Sequence, residues 1–171
     1  MEKDLTVYQK ISLIEKLAFE PCGLHLTKLK KESESHNYHA HQFQLAGYHV
    51  QFRIAKITPT KTGQFVTLWK RNATGITIPF DLADDYHFYM VAVTKDFNFG
   101  VFVFPKKLLY EHRILSGNKS KGKRGFRVYP TWYLPTSKQA VNTQQWQSPY
   151  FLDLSDHSIP ALPRLNFLFG I

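Results

Sequence analysis

Two almost unbroken apolar runs, from Phe88 to Val93 and from Phe99 to Phe104, constrain this chain more than any other feature it carries. Alternation of apolar and polar residues marks a strand with one wet face, whereas a run without alternation marks a strand covered on both. Asp96-Phe97-Asn98 supplies a short connection, so the two runs are expected to be neighbouring central strands with a layer of structure on either side. Upstream, the period is two. Tyr48, Val50, Phe52 and Ile54 alternate with His49, Gln51, Arg53 and Ala55, the pattern of a half-buried strand. The turn residues Thr58-Pro59-Thr60-Lys61-Thr62-Gly63 then lead into residues 64–70, completing a hairpin.

Helical signals surround this strand-rich centre. Val7, Ile11, Ile14 and Leu17 share one face at a 3.6-residue period, predicting an amphipathic helix over residues 5–20 that stops near Pro21 and Gly23. Pro105, with its fixed φ, opens a helix through Leu115. Thr136 and Gln139 have capping-box spacing and announce a helix through about Trp146. Residues 27–42 are polar and read as loop or a short helix. Residues 116–125 read as a Gly/Lys/Ser/Asn loop before a strand at 126–129, and residues 155–171, apolar but broken by Pro160 and Pro163, as an extended arm. The order implies an α/β (α+β) domain with a mixed central sheet flanked by helices. With 171 residues, 43% of them hydrophobic, and no internal repeat or long linker, residues 1–171 are expected to form a single domain.

The net charge of +9 is unevenly placed. Residues 41–80 carry Arg53, Lys56, Lys61, Lys70 and Arg71 and no carboxylate; residues 81–100 reverse the sign with Asp81, Asp84, Asp85 and Asp96 against Lys95. Residues 101–131 then carry eight Lys and Arg against Glu111 alone. Clustered cations of this kind suit a polyanion, because neutralising phosphates releases condensed counterions. Lys119, Lys121, Lys123 and Arg124 are interleaved with Gly117, Gly122 and Gly125, so a pliable backbone can approach phosphates while its side chains supply charge. In Phe126-Arg127-Val128-Tyr129-Pro130-Thr131-Trp132, aromatics alternate with a cation in a way that suits backbone contact and base stacking. The expected nucleic-acid-binding set is Lys56, Lys61, Lys70, Arg71, Lys119, Lys121, Lys123, Arg124, Arg127 and Tyr129. Trp69, Trp132 and Trp146 read as core or near-core residues. Gln139, Asn142, Gln144, Gln145 and Gln147 could read base edges, but a polar solvent face is the commoner use of such amides, so little sequence preference is expected.

Other chemistries are weakly supported. His36, His39 and His41 lack neighbouring Cys or Asp and read as a solvated loop rather than a metal site. The single cysteine, Cys22, precludes an internal disulfide and fits a reducing cytoplasm. Glu2, Lys3 and Asp4 open an N-terminus without the apolar core of a signal peptide, and no window reaches the ~18 apolar residues of a membrane span, so neither export nor a membrane partner is expected. The Gly117-to-Gly122 spacing followed by Lys123 is similar to a phosphate-binding loop, yet Arg124 stands where Ser or Thr would hold Mg²⁺ and a strand, not a helix, is predicted next. No cofactor is expected.

The stretch from Phe52 to Arg71, containing Ile54-Ala55-Lys56-Ile57-Thr58-Pro59-Thr60-Lys61-Thr62-Gly63-Gln64-Phe65, resembles the signature of the MepB family of bacterial proteins. Pro79-Phe80-Asp81, Phe99-Gly100-Val101-Phe102-Val103-Phe104-Pro105-Lys106, Gly122-Lys123-Arg124-Gly125-Phe126 and Gln144-Gln145-Trp146-Gln147 follow in the family's order, over residues 5–153. The resemblance implies a core akin to restriction endonucleases, DNA as the partner, single- or double-stranded, and a link to drug response. A nuclease of that type needs one acid, then acid-x-lysine on the next strand, to hold Mg²⁺ and steady the attacking water. The nearest arrangement here is Asp81 followed by Val93-Thr94-Lys95, with valine in place of the second acid. Three functions therefore stand side by side: a non-catalytic DNA-binding module, which the residues favour; a Mg-dependent nuclease with ligands rearranged to Asp84, Asp85 or Asp96; and an enzyme acting on nucleotides or small molecules.

Overall fold

The computed structural model describes residues 5–171; Glu2, Lys3 and Asp4 lie outside the described residues. The helices are α1 Val7–Ile14, α2 Lys106–Glu111, α3 Lys138–Gln147 and α4 Leu162–Phe169. The strands are β1 Leu26–Lys31, β2 His41–Leu45, β3 Tyr48–Ile54, β4 Lys56–Ile57, β5 Gln64–Thr67, β6 Trp69–Arg71, β7 Thr77–Pro79, β8 Phe88–Lys95, β9 Asn98–Pro105, β10 Ser116–Gly117, β11 Ser120–Lys121, β12 Gly125–Val128 and β13 Phe151–Asp153.

The two apolar runs form the centre of a mixed six-stranded sheet in the order β1-β2-β3-β8-β9-β13. β8 and β9 pair antiparallel from Phe88↔Pro105 to Lys95↔Asn98, turned by Asp96 at φ 55°, a left-handed conformation that Asp tolerates. β3 joins β8 in parallel, and the other neighbours are antiparallel. Within the apolar runs a hidden period of two sorts side chains between layers. Phe88, Met90, Ala92, Phe99, Val101 and Val103 pack with α1, residues 15–22 and α4. Tyr89, Val91, Val93, Phe102 and Phe104 pack on the opposite side with β5, β12, α2 and the buried Ile114 and Leu115. β12, β5 and β4 make a smaller antiparallel sheet in that second layer.

Several elements differ from their sequence expectation for identifiable reasons. Residues 26–31, expected in part to be loop, form an edge strand, β1, with five of its six residues exposed and three of those lysines; charge keeps such an edge from pairing with another chain, and a bulge at Lys28 (φ 55°) bends it. The N-terminal helix is α-helical only to Ile14, then loosens into a π-turn at Glu15–Phe19 and a 3-10 turn at Glu20–Cys22 closed by left-handed Gly23. α2 ends at Glu111 because Arg113 takes φ 60°, which turns Ile114 and Leu115 back into the core. Residues 116–121 form the tight β10–β11 hairpin. Ser137, not Thr136, caps α3 by accepting from the Ala140 amide. The C-terminal arm is helical as α4, since Pro163 falls in the first turn where its missing N–H is no loss, and Leu165, Leu168 and Phe169 are buried.

β3 is buried on both faces. Gln51 and Arg53 are only 1% and 2% exposed, as enclosed as Val50 and Phe52. Arg53 Nη1 donates to Gln51 Oε1 (2.8 Å) and to the Phe52 carbonyl (2.9 Å), while Gln51 Nε2 donates to Glu32 Oε1 (3.0 Å). Burial lowers the Arg53 pKa to about 10, with Glu32 opposing that shift, and pushes the Tyr89 phenol up.

Two stability predictions follow from this packing. At Gly100, on β9, a Cβ would lie 2.5 Å from the Phe151 ring and 2.6 Å from the Leu152 carbonyl oxygen. Gly100→Ala should therefore lower unfolding free energy by about 2 kcal/mol in urea titrations; an unchanged midpoint would show that β13 yields freely. Arg53→Ala removes the donors to Gln51 and Phe52 and opens a cavity, so it should cost about 3 kcal/mol. Arg53→Met keeps the volume and should cost about half as much by the same measurement.

Candidate nucleic-acid interface

The smaller sheet, the residues after α2 and the start of α3 enclose a groove of about 560 Å³. Lys61 enters it from the β4–β5 loop, Lys123 and Arg127 from β12 and its approach, and His112 and Trp146 from α2's end and α3. Thr136, Ser137, Gln139 and Thr143 complete the polar wall, and no Asp or Glu lines the groove. Lys61, Lys123 and Arg127 form no ion pair with any described residue.

The groove walls are held by hydrogen bonds rather than by apolar packing alone. Arg127 Nε donates to the Thr62 carbonyl (3.0 Å), and Nη2 donates to Thr58 Oγ1 (2.9 Å) and the Gly63 carbonyl (3.1 Å). One guanidinium thus pins the loop that presents Lys61. Gly63 sits at φ 79° with the Tyr129 ring 2.7 Å from where a Cβ would be, so only glycine permits this close approach. On the other side, fully buried Gln147 donates to the Arg127 carbonyl (2.9 Å) and accepts from the Tyr129 amide (2.8 Å), fastening α3 to β12.

His112 and Trp146 stack at 3.9 Å with their planes 9° apart, and Trp146 leans on Phe104 of the core. Burial pushes the His112 imidazole below its ordinary value, with Glu111 opposing. The same pair, with Gln139 and Thr143, borders an adjoining, more open recess of about 970 Å³ that also takes in Lys138, Asn142 and Gln145.

The expected binding residues separate into distinct environments. Lys61, Lys123, Arg127 and Tyr129 line the groove, although Tyr129 is 8% exposed and its ring packs on Gly63. Lys119 and Lys121 project from the β10–β11 hairpin, which the Lys123 amide ties to the Ile114 carbonyl (2.9 Å) at the groove's rim. Arg124 is exposed and donates to Thr77 Oγ1 (3.4 Å). Lys56 is exposed with its ammonium 5.3 Å from the Tyr38 ring centre. Lys70 and Arg71 instead face their own carboxylates, Asp84 at 2.5 Å and Glu34 at 2.7 Å. His112 and Ser137 were not signalled by the sequence, because three separate segments must meet before they share a wall.

Of the residues considered for catalysis, Asp81 and Asp84 come together, the Asp81 amide donating to Asp84 Oδ2 (2.7 Å), while Lys95 lies apart at the end of β8. Asp81 accepts from the Ala83 amide and from Ser116 Oγ (both 2.8 Å), which hold its carboxyl below the usual range. Its electrostatic influence falls on Tyr89, near the start of β8, whereas Thr94-Lys95 end that eight-residue strand, about 20 Å further along at 3.3 Å per residue. Lys95 rests over the Tyr133 ring (4.2 Å). Among the described residues no three His, Cys, Asp or Glu side chains come together as a metal cluster. His41 is buried rather than solvated, its Nδ1 2.7 Å from the His39 carbonyl oxygen. The β10–β11 hairpin leads into strand β12, not the helix a phosphate-binding loop requires. No described helix is long and apolar enough to cross a membrane.

Comparison with known proteins places this architecture. The family described as MepB-like matches residues 32–153. The crystal structure of MepB is similar to this chain at a TM-score of 0.73 and 38% identity, over 75% of this chain and 86% of that one. A bacterial homing endonuclease is similar at a TM-score of 0.42 and 14% identity, over 82% of this chain and 90% of that one. No curated protein matches. The matched residues span the central sheet from β2 to β13, the groove and the α3 wall, and the chain belongs to the MepB-like family.

Proposed function

We propose that this protein is a non-catalytic DNA-binding protein of the cytoplasm that grips the phosphate backbone with little sequence preference. The observation that carries this reading is the groove: three cations from two segments, the β4–β5 loop and β12 with its approach, none ion-paired and no carboxylate among its lining residues. Cations without an internal anion leave a phosphate nothing to displace, so its binding gains their attraction and releases its counterions. Lys119 and Lys121 on the rim hairpin extend the charge outward, in reach of neighbouring phosphates along the same strand. Lys70 and Arg71 contribute less, because a phosphate must first compete with Asp84 and Glu34.

Salt-dependent DNA binding tests this assignment. Each phosphate contact adds about 0.9 to the magnitude of the slope of log K against log salt on duplex DNA. Replacing Lys61, Lys119, Lys121 and Lys123 with Ala should lower that slope by roughly 3 to 4 with the fold intact by circular dichroism. A Lys70→Ala, Arg71→Ala protein should lose about 1 or less, and Lys16→Ala, on the opposite helical layer, almost nothing. Equal losses from all three proteins would place the contact surface elsewhere.

Catalysis is tested separately. Supercoiled plasmid incubated with the protein and Mg²⁺ or Mn²⁺ should remain intact. Cleavage abolished by Asp81→Ala or Asp84→Ala would establish the nuclease alternative instead.

A further inference from the structure

We infer that Lys10, Lys31, His39 and His41, none of which lines the groove, form a second site that takes a small oxyanion, a phosphate or sulfate group. The inference goes beyond the DNA-binding assignment and does not depend on it.

An unsatisfied imidazole points to a missing partner. His41, the first residue of β2, is 1% exposed, and its Nδ1 lies 2.7 Å from the His39 carbonyl oxygen. A carbonyl only accepts, so the hydrogen of that bond belongs to Nδ1. Nε2 is buried and hydrogen-bonds to nothing. Native proteins rarely leave a buried polar nitrogen in this state, because its lost hydration is then uncompensated. Tyr8, on the first turn of α1, is set edge-on to the His41 ring at 5.5 Å between centres and is itself 54% exposed. An exposed side chain of this kind exchanges rotamers rapidly, so the ring α1 lays against His41 is one that can move aside.

The charges around His41 fix the sign of that partner. The β1–β2 register sets Lys31 directly opposite His41, and such cross-strand neighbours share a face with Cβ atoms about 5 Å apart. Glu32, the next residue, instead accepts from Gln51 Nε2 in the buried network of β3. Lys10, on α1, is partly buried, which pushes its ammonium below the ordinary value. The His39 imidazole is lowered first by burial and then by Lys10, His41, Lys56 and Lys31. Every one of those charges is cationic. Lys10, Lys31 and Lys56 form no ion pair with any described residue, and the Lys56 ammonium rests 5.3 Å from the Tyr38 ring centre. A metal ion would be repelled here, and an apolar group would leave the imidazole unsatisfied. An oxyanion supplies several acceptor oxygens and the opposite charge. It also favours protonated imidazole, so it should raise the His39 pKa and bind more tightly as pH falls.

NMR of the histidine rings provides the test, with sodium sulfate as the probe because its charge is constant over the pH range used. Sulfate should shift the His39 and His41 signals saturably, with a tighter Kd at about pH 6 than at about pH 8. Lys10→Met should weaken that binding about tenfold, the scale of one charge-assisted contact. His39→Asn, a replacement that tolerates the left-handed φ of 49°, should remove most of the pH dependence with the fold intact by circular dichroism. The salt slope of duplex DNA binding separates the two sources of such a group. A drop of about 2 in a Lys10→Met, Lys31→Met protein would assign the site to backbone phosphates, and an unchanged slope to a free oxyanion. Sulfate that shifts neither ring, shifts that never saturate, or equal affinity in Lys10→Met would overturn the inference, and each of these results leaves the DNA-binding assignment of the groove standing. Loss of DNA binding by the groove variants alone leaves this site untouched.

Discussion

Burial of the β8–β9 hairpin on both faces is the interaction on which the rest of the structure depends. The unbroken apolar runs cannot be satisfied by one covering layer, so α1 and α4 close one side while the small β4-β5-β12 sheet and α2 close the other. Phe102 and Phe104 stack within the second layer at 5.2 Å, and Trp146 reaches Phe104 from α3. The groove is therefore built against the hydrophobic core rather than on a mobile periphery. Its aromatic wall is an outward extension of the packing that holds the sheet together.

The polar contacts near the groove convert that packing into fixed geometry. Arg127 holds residues 58–63 through backbone and hydroxyl oxygens, and Gln147 holds the backbone on either side of Val128. Neither contact uses a carboxylate. The positive charge of Arg127 is consequently hydrogen-bonded but not neutralised, and it adds to the field that Lys61 and Lys123 set up in the same enclosure. Lys70 shows the opposite arrangement, with its charge offset by Asp84. Two lysines that look alike in a charge count thus offer very different attraction to an incoming phosphate.

The buried Glu32–Gln51–Arg53 chain gives the interior of β3 a second character. A guanidinium 2% exposed would be untenable without donors and acceptors arranged around it, and here a glutamine relays it to a glutamate at the end of β1. The network ties β1 and β3 together across β2, binding an otherwise exposed lysine-rich edge to the core.

The sequence by itself determined the central strands, the turn between them, the strand that starts at Tyr48 and the position of α3, since these depend on local periodicity and turn chemistry; it did not show that the C-terminal arm folds as α4, nor that the strand from Tyr48 pairs with β2 and β8 while Gln64–Thr67, its expected hairpin partner, pairs with β4 and β12 in the smaller sheet. It also located the basic segments and, through its ordered motifs, the family. It did not reveal β1, because an edge strand of lysines carries no hydrophobic period, nor the burial of Arg53, because the layer covering it comes from residues far along the chain. Tertiary structure alone decided which cations are free and which are paired: Glu34 meets Arg71 and Asp84 meets Lys70 only after the chain folds. It also brought Lys61, His112, Lys123 and Trp146 to one enclosure. Electrostatic attraction and stacking act through space at a few ångströms, and residues dozens of positions apart reach that range only when the two-sided burial of one hairpin forces their segments to pack side by side.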